Sequence, residues 1–377
     1  MKVCYVTHLP NLTGASQSLL DLLSEVQRGD YNIEPTVLLG KHGPLEEELK
    51  ARGVPYKVLR YTSEISDKNP FKTFLKRLFN AYAIRNITDW FEAEGFDLVH
   101  NNTLLTRVGM EAARKAHIPY VSHNREFVWE DHGIKLLKEK ESYKLMEQAG
   151  ACIAISDAVF VKFSKLVPKA SFVTLYDGLD VGKYESDHEP LFAGETVKVL
   201  LAGRLSPGKG QREALEAFEL LKHRGEERFE LLIVGGESVK DKAYAEELRT
   251  YAETHELHNV RFLGFSDLKE LRQTADIALV CSKAEALGRV TIESELAGCL
   301  TIGAAAGATT ELLEDRITGL LYESGDPEAL AGAVLWAANH VDECRRIAAE
   351  GKRRAATQFD LSTYVTEIEK LYRSVLS

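Results

Sequence analysis

Two stretches of the sequence place charged side chains beside glycines, each directly after a short apolar run. Residues 202–210 hold Arg204 and Lys209 in a glycine-rich loop, and residues 285–293 begin and end with a glutamate. The apolar runs predict buried parallel strands. Because ligands bind beyond the carboxyl ends of the strands in an open α/β sheet, we expect both stretches to meet at the same edge of one sheet.

The residue types in these stretches suit a ligand that carries both phosphate and hydroxyl groups. The cations of Arg204 and Lys209 suit a diphosphate, and the adjoining glycines let backbone approach it closely. A helix that starts near Gly288 directs free backbone N–H groups at an anion. Glu285 and Glu293 suit sugar hydroxyls, because a carboxylate accepts hydrogen bonds from them. A solvated charged loop is the alternative interpretation of the two cations taken alone.

Length and composition exclude several classes of protein. The chain has 377 residues, enough for two domains, and 28% charged residues, which is ordinary for a globular protein. A net charge of −10 argues against nucleic acid as a partner. The five cysteines are scattered and no Cys/His cluster or Asp-x-Asp motif occurs, so neither a metal nor a cofactor is expected. The lack of a signal-peptide pattern or long apolar window predicts a cytoplasmic location.

Apolar runs that alternate with helical patterns predict a doubly wound parallel sheet in each half of the chain. The strands predicted in the first half are residues 2–7, 33–39, 55–59, 98–100, 119–122 and 152–155. Those predicted in the second half are residues 197–201, 230–234, 260–262, 277–280 and 300–302. Residues 182–195 between the halves are polar and lack periodicity, which is typical of a linker. An amphipathic helix is predicted over residues 361–376.

The first half of the chain contributes candidate residues of its own. Gly14 lies in the loop between the first strand and the next helix, where backbone can approach a phosphate or a sugar; a plain turn is the alternative. His100 and His123 stand at the carboxyl ends of predicted strands, with a structural hydrogen bond as the alternative role for each. The loop lacks the G-x-G-x-x-G spacing of dinucleotide-binding proteins.

The pattern Gly-Arg-x4-Lys-Gly at 203–210 and the pattern Glu-x7-Glu at 285–293 resemble those of glycosyltransferase family 4. Residues 123–133 also resemble the family's cleft loop, and the resemblance covers nearly the whole chain. Leu287 stands where the family usually has an aromatic residue. The resemblance implies the GT-B fold, which is α/β with two doubly wound Rossmann-like domains and an interdomain cleft. The implied parts are an acceptor-side domain (1–181), a linker (182–195), a nucleotide-sugar-binding domain (196–357) and a C-terminal helix that returns to the first domain (358–377).

The same resemblance implies a role for each candidate residue. Arg204 and Lys209 would hold the diphosphate and stabilise the leaving group, Glu285 would contact the donor sugar, and Glu293 would bind the ribose hydroxyls. His123 would contact an outer hydroxyl of the donor or the acceptor. Room for the ligand or backbone hydrogen bonds to it would come from Gly14, Gly264, Gly288, Arg289 and Val290.

The implied activity is a retaining, metal-independent transfer of a hexose-type sugar from a nucleotide-sugar, with UDP as the expected nucleotide. The expected acceptor is a hydroxyl of a glycan or lipid-linked glycan in cell-surface polysaccharide synthesis. In the front-face reaction usual for such enzymes, the donor phosphate takes the acceptor's proton and no protein nucleophile is needed. Two alternatives stay open: a nucleotide-sugar epimerase or hydrolase of the same fold, and a non-catalytic partner subunit.

The segment from Lys68 to Arg85 is basic in an otherwise acidic chain. It contains five basic residues (68, 72, 76, 77 and 85) and no acidic residue. At helical spacing, Phe71, Leu78 and Tyr82 share one face. A basic helix with an aromatic face predicts peripheral binding to an anionic membrane, here the inner leaflet. The alternative is a domain helix whose apolar face belongs to the core.

Overall fold

The computed structural model describes residues 1–66, 69–130, 133–184 and 190–377. These residues divide into two compact units, Met1–Leu179 with Asp360–Ser377, and Asp180–Phe359. Parts of three predictions lie outside the described residues: Lys68 of the basic segment, residues 131–132 of the cleft loop, and residues 185–189 of the linker. Within the rest of that linker, Leu191 is buried in the core of the second unit.

The first unit is built on a seven-stranded parallel sheet in the order β3-β2-β1-β4-β5-β6-β7. The strands are β1 (Lys2–Val6), β2 (Glu34–Leu39), β3 (Tyr56–Val58), β4 (Leu98–Asn101), β5 (Tyr120–Asn124), β6 (Ala151–Ala154) and β7 (Phe172–Thr174). The helices are α1 (Gly14–Arg28), α2 (Pro44–Ala51), α3 (Pro70–Glu94), α4 (Val108–Lys115), α5 (Glu139–Glu147) and α6 (Asp157–Leu166). The central strands are buried along their length, as expected for a parallel sheet covered on both faces.

The second unit repeats this plan with a six-stranded parallel sheet in the order β10-β9-β8-β11-β12-β13. The strands are β8 (Val197–Ala202), β9 (Phe229–Val234), β10 (Val260–Gly264), β11 (Ile277–Val280), β12 (Leu300–Ala304) and β13 (Leu320–Tyr322). The helices are α7 (Gln211–His223), α8 (Lys242–Thr254), α9 (Leu268–Thr274), α10 (Arg289–Ala297), α11 (Thr309–Leu312), α12 (Pro327–Asn339) and α13 (Val341–Gln358).

The last helix, α14 (Leu361–Leu376), belongs to the first unit. The Asp360 side chain caps it by accepting a hydrogen bond from the Thr363 N–H at 2.8 Å. Its buried side chains recur at helical spacing: Leu361, Tyr364, Val365, Ile368 and Tyr372. They join the core that α1 and the sheet form, so the end of the chain completes this unit.

Two doubly wound parallel sheets confirm the predicted architecture. In each sheet the chain reverses its winding at one point, between β1 and β4 in the first unit and between β8 and β11 in the second. Ligands of open α/β sheets bind at such points, beyond the carboxyl ends of the strands. We therefore expect ligand-binding residues in the loops that follow these four strands.

Candidate active site

The loop after β8 packs against the end of β11. The Lys283 N–H donates to the Gly208 carbonyl at 3.0 Å. Gly210 has φ +71°, and a Cβ there would lie 2.0 Å from the Cys281 carbonyl oxygen, so only glycine fits. The two charged stretches thus meet at one sheet edge, where the winding reverses.

Lys209 is ion-paired with Glu285, although the two lie on different loops. Lys209 ends a 3-10 turn, Pro207–Lys209, and its side chain is about one-third exposed. The Arg204 guanidinium is more open, with Nε 4.0 Å from Asp241 Oδ2. This arrangement leaves two cations within reach of solvent at one edge, each beside a carboxylate: Glu285 for Lys209 and Asp241 for Arg204.

Glu293, on the second turn of α10, lies between two arginines. Arg272 Nη2 is 2.5 Å from Glu293 Oε2, and Arg289 Nε is 3.6 Å from Oε1. The Arg272 side chain is almost fully buried, so this ion pair fixes the orientation of the Glu293 carboxylate. A carboxylate oxygen has two lone pairs, so Glu293 can still accept a ligand hydroxyl on each oxygen. Sequence reasoning missed Arg272, because its position on a charged helix gives no sign of burial.

The start of α10 is shaped by two glycines. Gly288 has φ +89° and precedes the helix, whose first N–H groups, at Arg289 and Val290, have no intrahelical acceptor. Gly307 has φ +56°, and a Cβ there would lie 2.6 Å from the Glu285 carbonyl oxygen. The loop after β12 therefore packs tightly against the loop that contains Glu285. Leu287, the departure from the family pattern, is buried.

One backbone segment, Gly235–Gly236, adjoins the Arg204 loop on its other side. The Leu205 N–H donates to the Gly236 carbonyl at 3.0 Å, and the Gly235 N–H donates to the Gly264 carbonyl at 2.8 Å. A Cβ on Gly235 would lie 2.0 Å from the Gly203 carbonyl oxygen. Gly264 is thus linked to the cationic loop through one intervening segment. The adjacent Phe265 ring is 91% exposed, a feature that the sequence did not single out.

In the first unit, His123 at the end of β5 is fully buried beside two other side chains. His123 Nδ1 is 3.2 Å from His100 Nε2 and 3.2 Å from Arg125 Nη2. Arg125 Nη1 in turn donates to Asp177 Oδ2 at 2.5 Å. Burial lowers the pKa of His100 to about 3 and lowers the pKa of His123 well below its ordinary value, with the Arg125 charge acting in the same direction.

Gly14, the first residue of α1, is not forced to be glycine by its surroundings in this structure. A Cβ there would meet nothing within 4 Å. Its position after β1 is at the winding reversal of the first sheet. The predicted residues therefore form two groups. Gly14, His100 and His123 lie in the first unit, and the other eight lie in the second: Arg204, Lys209, Gly264, Glu285, Gly288, Arg289, Val290 and Glu293.

The described residues contain neither a metal-binding cluster nor a membrane-spanning helix. No cluster of three or more His, Cys, Asp or Glu side chains in this part of the chain could hold a metal ion. Likewise, none of the helices in the described ranges has the length and apolar character needed to cross a membrane.

Residues 183–354 match the sequence profile of a family described as glycosyl transferases group 1. The chain is 25% identical over 303 residues to a D-inositol 3-phosphate glycosyltransferase of Jonesia denitrificans, covering 74% of this chain and 71% of that protein. It is 33% identical over 151 residues to a protein of the same name from Acidothermus cellulolyticus, covering 36% of this chain and 32% of that one. The profile match thus lies within the second unit, Asp180–Phe359.

The fold is similar to that of HepE from Anabaena, whose structures contain UDP, UDP with glucose, or UDP-glucose. The TM-scores are 0.85, 0.84 and 0.83 at 22–23% identity, and the similarity covers 99% of this chain and 100% of that chain. At this identity the likeness concerns the fold. It confirms two Rossmann-like domains of the GT-B class.

Proposed function

We propose that this chain, whose residues 183–354 match the group 1 glycosyl transferase family, is a retaining transferase. It would move a hexose-type sugar from a UDP-sugar to a hydroxyl acceptor. The observation that carries the proposal is the edge at which Arg204, Lys209 and Glu285 meet beside the start of α10. Cations, a carboxylate and the backbone N–H groups at the start of a helix together match the phosphate and hydroxyl groups of a nucleotide-sugar. The UDP and glucose bound by HepE support this choice of donor.

The cationic loop would bind the diphosphate and stabilise the charge that develops as UDP departs. Lys209 already has a carboxylate partner in Glu285, so a phosphate would share or take over that cation. Glu285, released in this way, would accept hydrogen bonds from the donor sugar. Two fixed cations supply the charge that a divalent ion supplies elsewhere, and we therefore propose a reaction without metal or cofactor.

The remaining roles follow from position. Glu293, held by Arg272, would accept from the ribose hydroxyls, and backbone at Gly264 would face the base. His123 would donate to an outer hydroxyl of the donor or to the acceptor, and Gly14 would leave room for the diphosphate. The donor phosphate would take the acceptor's proton, so that no side chain need act as nucleophile.

We further propose that the acceptor is lipid-linked or part of a cell-surface glycan, and that α3 binds an anionic bilayer. The first half of α3 has its large apolar side chains in solvent: Phe71 is 66% exposed, Phe74 55% and Tyr82 67%. The alternative of a core helix is therefore wrong for this half. A shallow groove of about 670 Å³ runs along it and is lined by Lys72 and Lys76 as well as apolar residues. Exposed aromatics flanked by cations suit the interface of a negatively charged membrane.

A transfer assay tests the central proposal. Purified protein would be incubated with UDP-glucose, UDP-galactose, ADP-glucose or GDP-mannose, with a membrane extract as acceptor, and with or without excess EDTA. We expect transfer from a UDP-sugar, retention of the anomeric configuration by NMR, and full activity in EDTA.

Other outcomes would favour the alternatives. Release of free sugar without acceptor, or conversion of one UDP-sugar into another, would identify a hydrolase or an epimerase. Absence of UDP binding by calorimetry would favour a non-catalytic partner subunit. Loss of activity in EDTA that Mg²⁺ restores would contradict the metal-free reaction.

A further inference from the structure

A continuous line of hydrogen-bonding groups runs through the core of the first unit from α14 to His123. The Tyr372 hydroxyl, on α14, lies 2.5 Å from His100 Nδ1. His100 Nε2 lies 3.2 Å from His123 Nδ1, which is also 3.2 Å from Arg125 Nη2. All four side chains are buried. Because these side chains are buried, the hydrogen-bond partners of each group determine where its proton lies.

The protons along this line can be assigned from one fixed donor. An arginine side chain has only N–H donors, so His123 Nδ1, which faces Arg125, must carry a lone pair. His100 Nε2 faces the same lone pair and must therefore carry a hydrogen. In a neutral imidazole only one nitrogen is protonated, so His100 Nδ1 accepts. The Tyr372 hydroxyl donates to it at 2.5 Å in preference to the Tyr5 hydroxyl, which is 3.3 Å away.

Arg125 is held in place by two hydrogen-bond acceptors, so its N–H groups keep a fixed direction toward His123. Its Nη1 donates to Asp177 Oδ2 at 2.5 Å, and its Nε donates to Asn102 Oδ1 at 3.1 Å. Burial and the Arg125 charge lower the pKa of both histidines, so both are neutral near pH 7. His123 Nε2 has no hydrogen-bond partner among the described residues, although the side chain is completely buried.

We infer that Tyr372, His100 and Arg125 are positioning residues that fix His123 as the tautomer with its hydrogen on Nε2. His123 then offers a hydrogen-bond donor to a ligand oxygen, such as a sugar hydroxyl or a phosphoryl oxygen, and cannot accept a proton there. A buried N–H group without an acceptor costs free energy, so we infer that a ligand oxygen accepts from His123 Nε2. The ligand assignment rests on the proposed function, whereas the tautomer does not.

The tautomer is tested directly by NMR of the full chain labelled with ¹⁵N-histidine. Protonated and unprotonated ring nitrogens differ strongly in ¹⁵N shift. We expect both histidines to be neutral at pH 7, with hydrogen on Nε2 and a lone pair on Nδ1. Hydrogen on His123 Nδ1, or a protonated imidazolium at pH 7, would overturn the inference. This measurement needs no substrate, so it stands even if the proposed activity is not found.

The role of Tyr372 is tested with Tyr372→Phe, which removes only the hydroxyl. The matched control is Tyr120→Phe, on the strand of His123, whose buried hydroxyl donates elsewhere, to the Leu145 carbonyl at 2.7 Å. We expect Tyr372→Phe to broaden or double the ¹⁵N signals of both histidines, and Tyr120→Phe to leave them unchanged. Unchanged signals in Tyr372→Phe would remove Tyr372 from the set of positioning residues and overturn the inference.

Kinetics separate positioning from simple stability. In Tyr372→Phe, kcat should fall roughly three- to tenfold, which corresponds to one neutral hydrogen bond, while KM for the UDP-sugar stays within about twofold. His123→Gln, whose amide keeps a donor, should retain more activity than His123→Leu. Equal activity of the Gln and Leu variants would show that the donor is not used by the ligand.

Discussion

At the scale of single residues, the first prediction concerns the two cations of the loop after β8. Arg204→Ala and Lys209→Ala each remove a charge-assisted contact to the diphosphate, worth roughly 1.5–3 kcal/mol. We expect kcat/KM for transfer to fall at least about tenfold in each variant with the fold intact by circular dichroism. Lys269→Ala, an exposed lysine on α9, is the control. Wild-type rates in both variants would refute the diphosphate assignment.

The two glutamates should behave differently when UDP binding is measured by calorimetry. Glu293→Gln removes the acceptor for ribose and leaves the buried Arg272 without its carboxylate, so UDP affinity should fall about tenfold or more. Glu285→Gln releases Lys209 from its ion pair, so UDP affinity should be kept or raised, whereas transfer should fall. Equal losses of UDP affinity in the two variants would contradict this division.

At the scale of helices, α10 contains a carboxyl group that works against stability at neutral pH. Glu295 is buried, and an added Cβ on Gly351 of α13 would lie 3.2 Å from its Oε1. Burial raises the pKa of Glu295 from 4.5 to about 9, and Arg354 only partly opposes this. The unfolded chain therefore releases this proton first as pH rises. Stability that is present below about pH 4.5 is lost progressively up to about pH 9.

Glu295→Gln should remove this pH dependence, because its side chain is neutral throughout. We expect the free energy of unfolding of the variant to exceed that of wild type by about 1–3 kcal/mol at pH 8, with the difference vanishing near pH 4.5. Urea titrations at a series of pH values measure this. A variant that is equally destabilised at every pH would show that the group is ionised in the folded state.

The exposed aromatic and basic side chains of α3 predict binding to anionic membranes. Co-sedimentation would compare vesicles with and without phosphatidylglycerol. Phe71→Ser/Phe74→Ser and Lys72→Glu should each weaken binding to the anionic vesicles at least about fivefold. Lys76 and Arg77 are less suitable targets, because they donate to the carbonyls of Ile65 at 3.2 Å and Leu137 at 3.0 Å.

Ile317→Ser, at an exposed apolar residue of the second unit, serves as the control and should bind as wild type does. If wild type does not sediment with anionic vesicles at low salt, α3 is not a membrane helix, and a soluble acceptor becomes the better proposal.

At the scale of the whole molecule, the last helix is required for the first unit to fold. Ile368 of α14 is fully buried in that unit's core. Ile368→Ala should lower the free energy of unfolding by about 2–5 kcal/mol, and deletion of residues 360–377 should abolish folding of the first unit. Lys370→Ala, at an exposed ion pair on the same helix, should cost less than about 1 kcal/mol. A cooperative transition of the first unit in the truncated chain would contradict this dependence.

The sequence by itself determined the architecture and the principal candidates of the second unit. Short apolar runs between helical patterns predict buried strands, and alternation with helices predicts that the sheets are parallel. Parallel strands end at one edge, so Lys209 and Glu285, far apart in the chain, could be expected to meet there. Strands β7 and β13 were missed, because a three-residue strand at a sheet edge carries little pattern; of the three such strands, only β3 was predicted.

Only the tertiary structure decided which partners these residues have. Arg272 reaches Glu293, and Tyr372 reaches His100, through packing between elements that no local pattern connects. The same is true of exposure: the aromatic face that the sequence predicts in α3 lies in solvent, whereas the opposite face, with Ile84, Ile87 and Phe91, is buried. Periodicity specifies which side chains share a face of a helix. Whether another element covers that face depends on where the rest of the chain packs.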